Sequence, residues 1–193
     1  MGVGEDFQRF CCAIRLSQGE RSTISGRTAA ISKRLNQDFW NIYSETDHRF
    51  YSGSYGRGTA ISGVSDIDLL MCLQYSTYIQ YSNYSGNGQS SLLQAVKSSI
   101  AKTYPTTSLK GDGQVVVVAF GNMSYDVVPV FLNTDGSYTH PDSNNGGSWK
   151  VTKPKEEISA FEQKTMEQME ICESFAEWFG PGEIAVPFPL AEC

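Results

Sequence analysis

Two aspartates one residue apart, Asp66 and Asp68 in Ser65-Asp66-Ile67-Asp68-Leu69-Leu70, follow a glycine-rich stretch, Gly53-Ser54-Tyr55-Gly56-Arg57-Gly58-Thr59. Side chains on a strand alternate between faces, so residues two apart point the same way and the two carboxylates converge. Like charges held together raise one another's pKa or cost stability unless a cation lies between them. Hard divalent ions such as Mg2+ take oxygen ligands of this kind, so the pair reads as a metal site. The glycines before it let the main chain approach an anion closely and offer it backbone N–H groups. Phosphate beside metal suggests phosphoryl or nucleotidyl transfer.

A third carboxylate, Asp126 in Tyr125-Asp126-Val127-Val128-Pro129, falls in the second half of an expected hairpin. Contributed from a neighbouring strand, it completes the set used by two-metal sites for in-line displacement at phosphorus, where the ions stand about 3.5–4 Å apart. One ion would orient a triphosphate and neutralise the departing pyrophosphate; the other would acidify the attacking hydroxyl. Asp126 is expected beside that hydroxyl, as metal ligand or general base. Ser54, directly after the tight turn, could add its hydroxyl to the N–H groups around a phosphate. Arg57 reads equally as a phosphate contact and as a solvent-exposed cation. Taken singly, a Gly-Ser-x-Gly turn is an ordinary loop and an Asp-x-Asp a solvated strand end. Their order, with Asp126 following, favours a site.

The elements that must carry these residues follow from periodicity. Ile24, Ile31, Leu35, Phe39 and Ile42 recur at helical spacing and predict a long helix from Ser22, as N-cap, to Asp47. Arg49 to Ser52 reads as a short strand, and Ile67 to Leu73 as a strand buried on both faces. Tyr75 to Gly88, rich in Ser, Tyr, Asn and Gly, reads as a loop whose tyrosines 75, 78, 81 and 84 are amphipathic tips rather than a stacking platform for bases. A second helix is expected over Gln89 to Tyr104, stopped by Pro105. The hairpin pairs Gln114–Phe120 with Ser124–Leu132 through Gly121-Asn122, and Pro129 implies an edge, a bulge or a strand end. Asp135-Gly136 and Asn144 to Gly147 mark loops. A last helix follows Pro154, with Ile158, Phe161, Met169, Cys172, Phe175 and Phe179 on its apolar face, closed by Gly180-Pro181-Gly182 before an irregular tail, 183–193. Helices covering a mixed sheet in an α+β layer arrangement fit this order.

Composition narrows the partners. A chain of 193 residues with 40% hydrophobic and 19% charged residues suits one domain with a real core. No apolar run approaches the roughly 18 residues of a membrane helix, so no membrane partner is expected. A formal charge of -6, from 15 basic and 21 acidic residues, argues against a broad grip on long nucleic acid but not against nucleotides. Five cysteines without a Cys-x-x-Cys pair and two histidines, His48 and His140, offer no zinc spacing; the histidines are expected at the surface or in loops. Reduced thiols and an N-terminus with Glu5, Asp6 and Arg9 point to the cytoplasm.

Gly-Ser, a short glycine-rich link, Asp-x-Asp on a strand and a later lone Asp resemble the polymerase-β-type nucleotidyltransferase fold. More narrowly, Gly53 to Ile61, Ser65-Asp66-Ile67-Asp68 and Trp149-Lys150-Val151-Thr152-Lys153-Pro154 resemble the bacterial cGAS/DncV-like nucleotidyltransferases, over roughly Ser22 to Phe161. The resemblance implies that Gly53 and Ser54 hold a triphosphate, that Asp66, Asp68 and Asp126 bind two Mg2+ ions, with Mn2+ as a substitute, and that NTPs are joined into a cyclic or linear oligonucleotide signal in defence against phage. Trp149 and Lys153 could line the cleft. Members of that family continue into a helical bundle that closes the cleft. Residues 1–161 are therefore expected to form the nucleotidyltransferase core, and residues 162–193 the start of a helical part that is short or truncated. Two alternatives stay open: a nucleotide-binding module without turnover that acts through a regulatory protein partner, and transfer by the same aspartates to a protein, a small molecule or an RNA end.

Overall fold

The computed structural model describes residues 3–63 and 66–179, with side chains over 6–63 and 66–168. Two helices open the chain, α1 (Val3–Ile14) and α2 (Gln18–Trp40). The sequence reading had α2 begin at Ser22, but Ser17 caps it. Ser17 Oγ accepts from the Glu20 backbone N–H at 3.2 Å, and Glu20 Oε2 accepts from the Ser17 N–H at 2.8 Å. This reciprocal capping box satisfies two donors that a helix start otherwise leaves unpaired. The helix ends at Asn41, which turns left-handed (φ 56), rather than at Asp47. Asn36 then ties the following loop back by donating to the Ser44 and Asp47 carbonyls at 3.0 and 2.9 Å.

Strand β1 (Arg49–Tyr51) leads into a single helical turn, α3 (Gly53–Gly56), and then β2 (Ile67–Cys72). Next comes a correction: residues 75–82 form helix α4 (Tyr75–Ser82), not a loop. The three-residue spacing of its tyrosines is a helical one, and Tyr78 packs edge-on against Phe131 and Trp149 at 5.4 and 4.8 Å between ring centroids. Packing of those rings outweighs the poor propensity of the surrounding Ser and Asn. Helix α5 (Gly88–Thr103) falls within a residue of expectation.

Five strands complete the fold before the last helix: β3 (Ser108–Asp112), β4 (Val115–Phe120), β5 (Met123–Leu132), β6 (Tyr138–Asp142) and β7 (Ser148–Thr152), followed by α6 (Pro154–Phe179). The β4–β5 hairpin was expected, whereas β3, β6 and β7 were not. The sheet runs β1-β2-β5-β4-β3, with β6 paired to the far end of β5 and β7 to β6. Strands β2 and β5 are parallel and the other pairs antiparallel, so the sheet is mixed. Pro129 sits where β5 changes partners: pairing with β4 reaches Val127 and pairing with β6 begins at Phe131. Its missing N–H therefore breaks no ladder on that side.

One sheet face is covered. Ile67, Leu69 and Met71 of β2, Val116 and Val118 of β4, and Tyr125 and Val127 of β5 pack on Ile24, Ile31 and Leu35 of α2 and Leu92, Val96 and Ile100 of α5. Each fully buried aliphatic side chain there contributes about 1.5–3 kcal/mol. The opposite face carries a small second cluster, Leu70, Val130 and Tyr138 with Phe50, Cys72 and Val128 against it. His48 lies in the turn before β1, as expected, whereas His140 is buried on a strand, contrary to expectation. His48 stacks on Trp40 at 3.8 Å, and His140 on β6 is 8% exposed. The apolar side chains expected at 169, 172, 175 and 179, the closing glycines and the irregular tail lie outside the described side chains.

Candidate nucleotidyltransferase site

The site is built by strand register. Parallel pairing of β2 with β5 sets Asp68 directly beside Asp126, and Ile67 beside Tyr125. Side chains alternate along each strand, so Asp68 and Asp126 share the face opposite the helices while Ile67 and Tyr125 enter the core. Asp66, one residue before β2, falls opposite Ser124, whose Oγ donates to Asp66 Oδ1 at 2.5 Å. The structure thus brings Asp66, Asp68 and Asp126 together on one sheet face, as their spacing requires.

The glycine stretch meets them edge-on. Ser52 N–H donates to the Asp68 carbonyl at 3.0 Å, which continues the β1–β2 pairing and delivers Gly53 beside the Asp68 side chain. A Cβ placed on Gly53 would lie 1.8 Å from Asp68 Oδ2, and Gly53 has φ +57. Only glycine fits there, both for the left-handed backbone and for the approach of the carboxylate. Gly56 N–H and Arg57 N–H donate to the Ser52 and Gly53 carbonyls at 2.8 and 3.1 Å. The N–H groups of Gly53, Ser54 and Tyr55 fall in the first turn of α3 and have no intrahelical acceptor. Tyr55 anchors the turn: its ring stands edge-on to Tyr51 at 4.6 Å, and Tyr51 Oη donates to Thr28 Oγ1 of α2 at 2.9 Å.

Electrostatics mark the three carboxylates as a mutually repelling set. Burial, then the Asp66 charge, raises the pKa of Asp68, while Arg57 opposes the shift. Asp126 is raised by burial and then by Asp68, Asp66 and Asp112. Among the described residues no lysine, arginine or histidine forms an ion pair with any of the three. Arg57 lies with its guanidinium 5.6 Å from the Phe161 ring centroid, on the side of Asp68 from which its charge is felt. Trp149 and Lys153 are not brought here: Trp149 packs under α4, and Lys153 pairs with Glu156 at 2.9 Å.

The donor set fits a hard divalent cation in kind: three oxygen-bearing side chains on one face, charged alike and without a cationic partner. It is not contracted into a cage. Among the described residues no three His, Cys, Asp or Glu side chains are gathered tightly enough to hold an ion as they stand.

Sequence reasoning missed Ser124. Its signal was available, because Ser124 precedes Asp126 by the same two residues that separate Asp66 from Asp68.

With this geometry in hand, comparison with known proteins places the chain. The family of the Second Messenger Oligonucleotide or Dinucleotide Synthetase domain, SMODS, matches residues 1–165. The chain belongs to that family, the cGAS/DncV-like nucleotidyltransferases. Among solved structures, the CD-NTase CdnG of Bradyrhizobium diazoefficiens in complex with GTP is similar at a TM-score of 0.63 and 12% identity, over 82% of this chain and 46% of that one. CdnC of E. coli MS115-1, in a complex with HORMA-deltaN, is similar at 0.55 and 18%, over 84% and 50%. The CdnE cyclic dinucleotide synthase of Elizabethkingia meningoseptica, with GTP and Apcpp, is similar at 0.51 and 20%, over 86% and 62%. At these identities the likeness is one of fold, and the chain spans about half the length of the first two. No curated protein matches it. Among the described residues no helix is long and apolar enough to cross a membrane.

Proposed function

We propose that this chain carries the nucleotidyltransferase core of a metal-dependent synthase that joins NTPs into a cyclic or linear oligonucleotide second messenger, with release of pyrophosphate, in bacterial antiphage defence. The observation that carries the proposal is the pairing of Asp68 with Asp126 across β2 and β5, with Gly53 held against Asp68. Residues 1–161 form the core in this proposal and 162–193 the start of a helical part. A synthase that consumes NTPs would work in the cytoplasm.

Asp66, Asp68 and Asp126 would hold two Mg2+ ions, or Mn2+ in their place. When bound, these would offset charge on the triphosphate and the departing pyrophosphate and acidify the attacking hydroxyl. The backbone N–H groups of Gly53 and Ser54 bind phosphate oxygens, and the Ser54 hydroxyl adds a donor. Arg57, which already acts on Asp68, releases the Phe161 ring to meet the triphosphate. Asp126 accepts the proton of the attacking ribose hydroxyl. The hydroxyl oxygen bonds to the α-phosphorus as the bond to the bridging oxygen breaks, and pyrophosphate leaves.

The test supplies labelled NTPs singly and in pairs with Mg2+ or Mn2+, separates products by thin-layer chromatography and measures pyrophosphate. Product from the wild-type chain and none from Asp68→Asn supports the proposal; equal turnover by Asp68→Asn refutes it. The second reading is a module that binds nucleotide without turnover and acts through a protein partner. Nucleotide binding without pyrophosphate release would select it. Label transferred to added protein, small molecule or RNA would instead identify a different acceptor.

A further inference from the structure

Outside the three aspartates and the glycine turn, one polar side chain reaches the same constellation: Ser124, on β5 two residues before Asp126 and therefore on the same face. Its Oγ donates to Asp66 Oδ1 at 2.5 Å. Asp68 and Asp126 are held from both sides: Asp68 pairs with Asp126 and its carbonyl accepts from the Ser52 N–H, and Asp126 also pairs with Val117. Asp66 has no such support. It stands one residue outside β2 and is exposed. An exposed carboxylate beyond the end of a strand, repelled by two others, samples rotamers that point away from them.

We propose that Ser124 is a positioning residue, which holds Asp66 through Oδ1 so that its carboxylate stays on the face of Asp68 and Asp126 and keeps Oδ2 for a divalent cation. This rests on the metal-binding reading of the three aspartates and deepens it. Hydrogen-bond partners of ligating carboxylates orient them, and losing one such partner typically weakens metal binding by about 10–100-fold. Ser124 is positioned for that task by register alone: with Ile67 opposite Tyr125, the residues before each of them face one another.

The test titrates the full chain with Mn2+ alone, reading free ion by electron paramagnetic resonance, for wild type, Ser124→Ala, Ser124→Thr and Asp68→Asn, with melting temperatures recorded in parallel. Ser124→Ala is expected to bind Mn2+ about tenfold more weakly than wild type with its melting temperature retained. Ser124→Thr keeps the hydroxyl on a residue that suits a strand and is expected to restore affinity to within about threefold. If Ser124→Ala titrates like wild type while Asp68→Asn has lost the ion, the positioning role falls and the metal reading stands. A Ser124→Thr variant as defective as Ser124→Ala would assign the effect to packing and also overturn the role. If wild type and Asp68→Asn bind alike, or neither binds, the metal reading itself fails and the inference with it.

Discussion

Replacing Gly53 by alanine isolates the contact on which the site turns. Gly53 has φ +57, and an added Cβ would meet Asp68 Oδ2 at 1.8 Å and Asp68 Cγ at 2.8 Å. Two costs arise. A non-glycine residue in left-handed geometry costs roughly 1–2 kcal/mol. The carboxylate must also move, because the aspartate side chain is short and its Cγ is itself in the way. Gly58 supplies the control: it too has positive φ (+70), yet an added Cβ meets nothing within 4 Å. Gly58→Ala is therefore expected to bear the backbone cost alone, and Gly53→Ala that cost together with the displacement of the carboxylate. At about 2–4 °C per kcal/mol for a chain of this size, the melting temperature should fall by roughly 2–8 °C in Gly58→Ala and further in Gly53→Ala. Only Gly53→Ala displaces Asp68. A shift of about 1 Å in a catalytic group costs on the order of 100-fold, so pyrophosphate release by Gly53→Ala should fall at least about 100-fold below that of Gly58→Ala, with Mn2+ affinity falling alongside. Melting curves, Mn2+ titration and a coupled pyrophosphate assay decide the matter. Equal activity and equal Mn2+ affinity in the two variants would refute the reasoning, since Asp68 would then not depend on the bare Cα beside it.

Three further outcomes follow from the geometry. The folded state raises the pKa of Asp68 and Asp126, so it binds protons more readily than the unfolded chain, and stability falls as pH climbs from the ordinary aspartate value of 3.8 through the raised values. In metal-free buffer at neutral pH, Asp68→Asn and Asp126→Asn should each melt higher than wild type, with the gain vanishing toward acid and shrinking when Mn2+ is added; scanning calorimetry against pH checks the sign. Tyr125→Phe removes the buried hydrogen bond from Tyr125 Oη to the Ile24 carbonyl, 2.9 Å long, and should cost about 0.5–1.5 kcal/mol in urea unfolding while Mn2+ affinity is unchanged, because this side chain lies on the helix side of the sheet. Ser17→Ala breaks the capping box with Glu20 and should cost about 1 kcal/mol by the same measurement, again without effect on the ion.

The aspartates and the glycine turn were legible because their chemistry depends on short-range spacing: alternation fixes the face that Asp66 and Asp68 share, and a valine-rich hairpin puts Asp126 on a strand. What stayed hidden depends on long-range pairing. Strand β3 reads Ser-Leu-Lys-Gly-Asp, without the apolar weight of a strand, and forms because β4 offers an edge from Val115 to Ala119. Strands β6 and β7 contain Pro141 and Lys150 and are held by one another and by the end of β5. Helix α4 was obscured by its serines, since composition counts residues but not the rings that pack beneath them. Ser17 was passed over because the apolar period becomes evident only from Ile24, about two turns after the cap. His140 was misplaced because a histidine between a threonine and a proline gives no local sign of burial.

The face that bears the carboxylates changes character along its length, and that change explains their electrostatics. Along β2 and the residue before it the face reads Asp66, Asp68, Leu70, Cys72, and on β5 Ser124, Asp126, Val128, Val130; the acidic and apolar halves meet between Asp68 and Leu70 on one strand and between Asp126 and Val128 on the other. The apolar half gathers Phe50 and Tyr138, and Lys155 at the start of α6 lies 5.3 and 5.7 Å from their ring centroids. That leaves the acidic half open while lending it an apolar border one residue pair away. The border half-buries Asp68 and Asp126, and burial is the first cause of both raised pKa values. A carboxylate in that position is poorly solvated, so a cation that approaches it gains more than it would in open water. The arrangement that destabilises the metal-free fold is therefore the one that would strengthen its hold on the proposed ion, and both effects follow from which residue of β5 lies opposite Asp68.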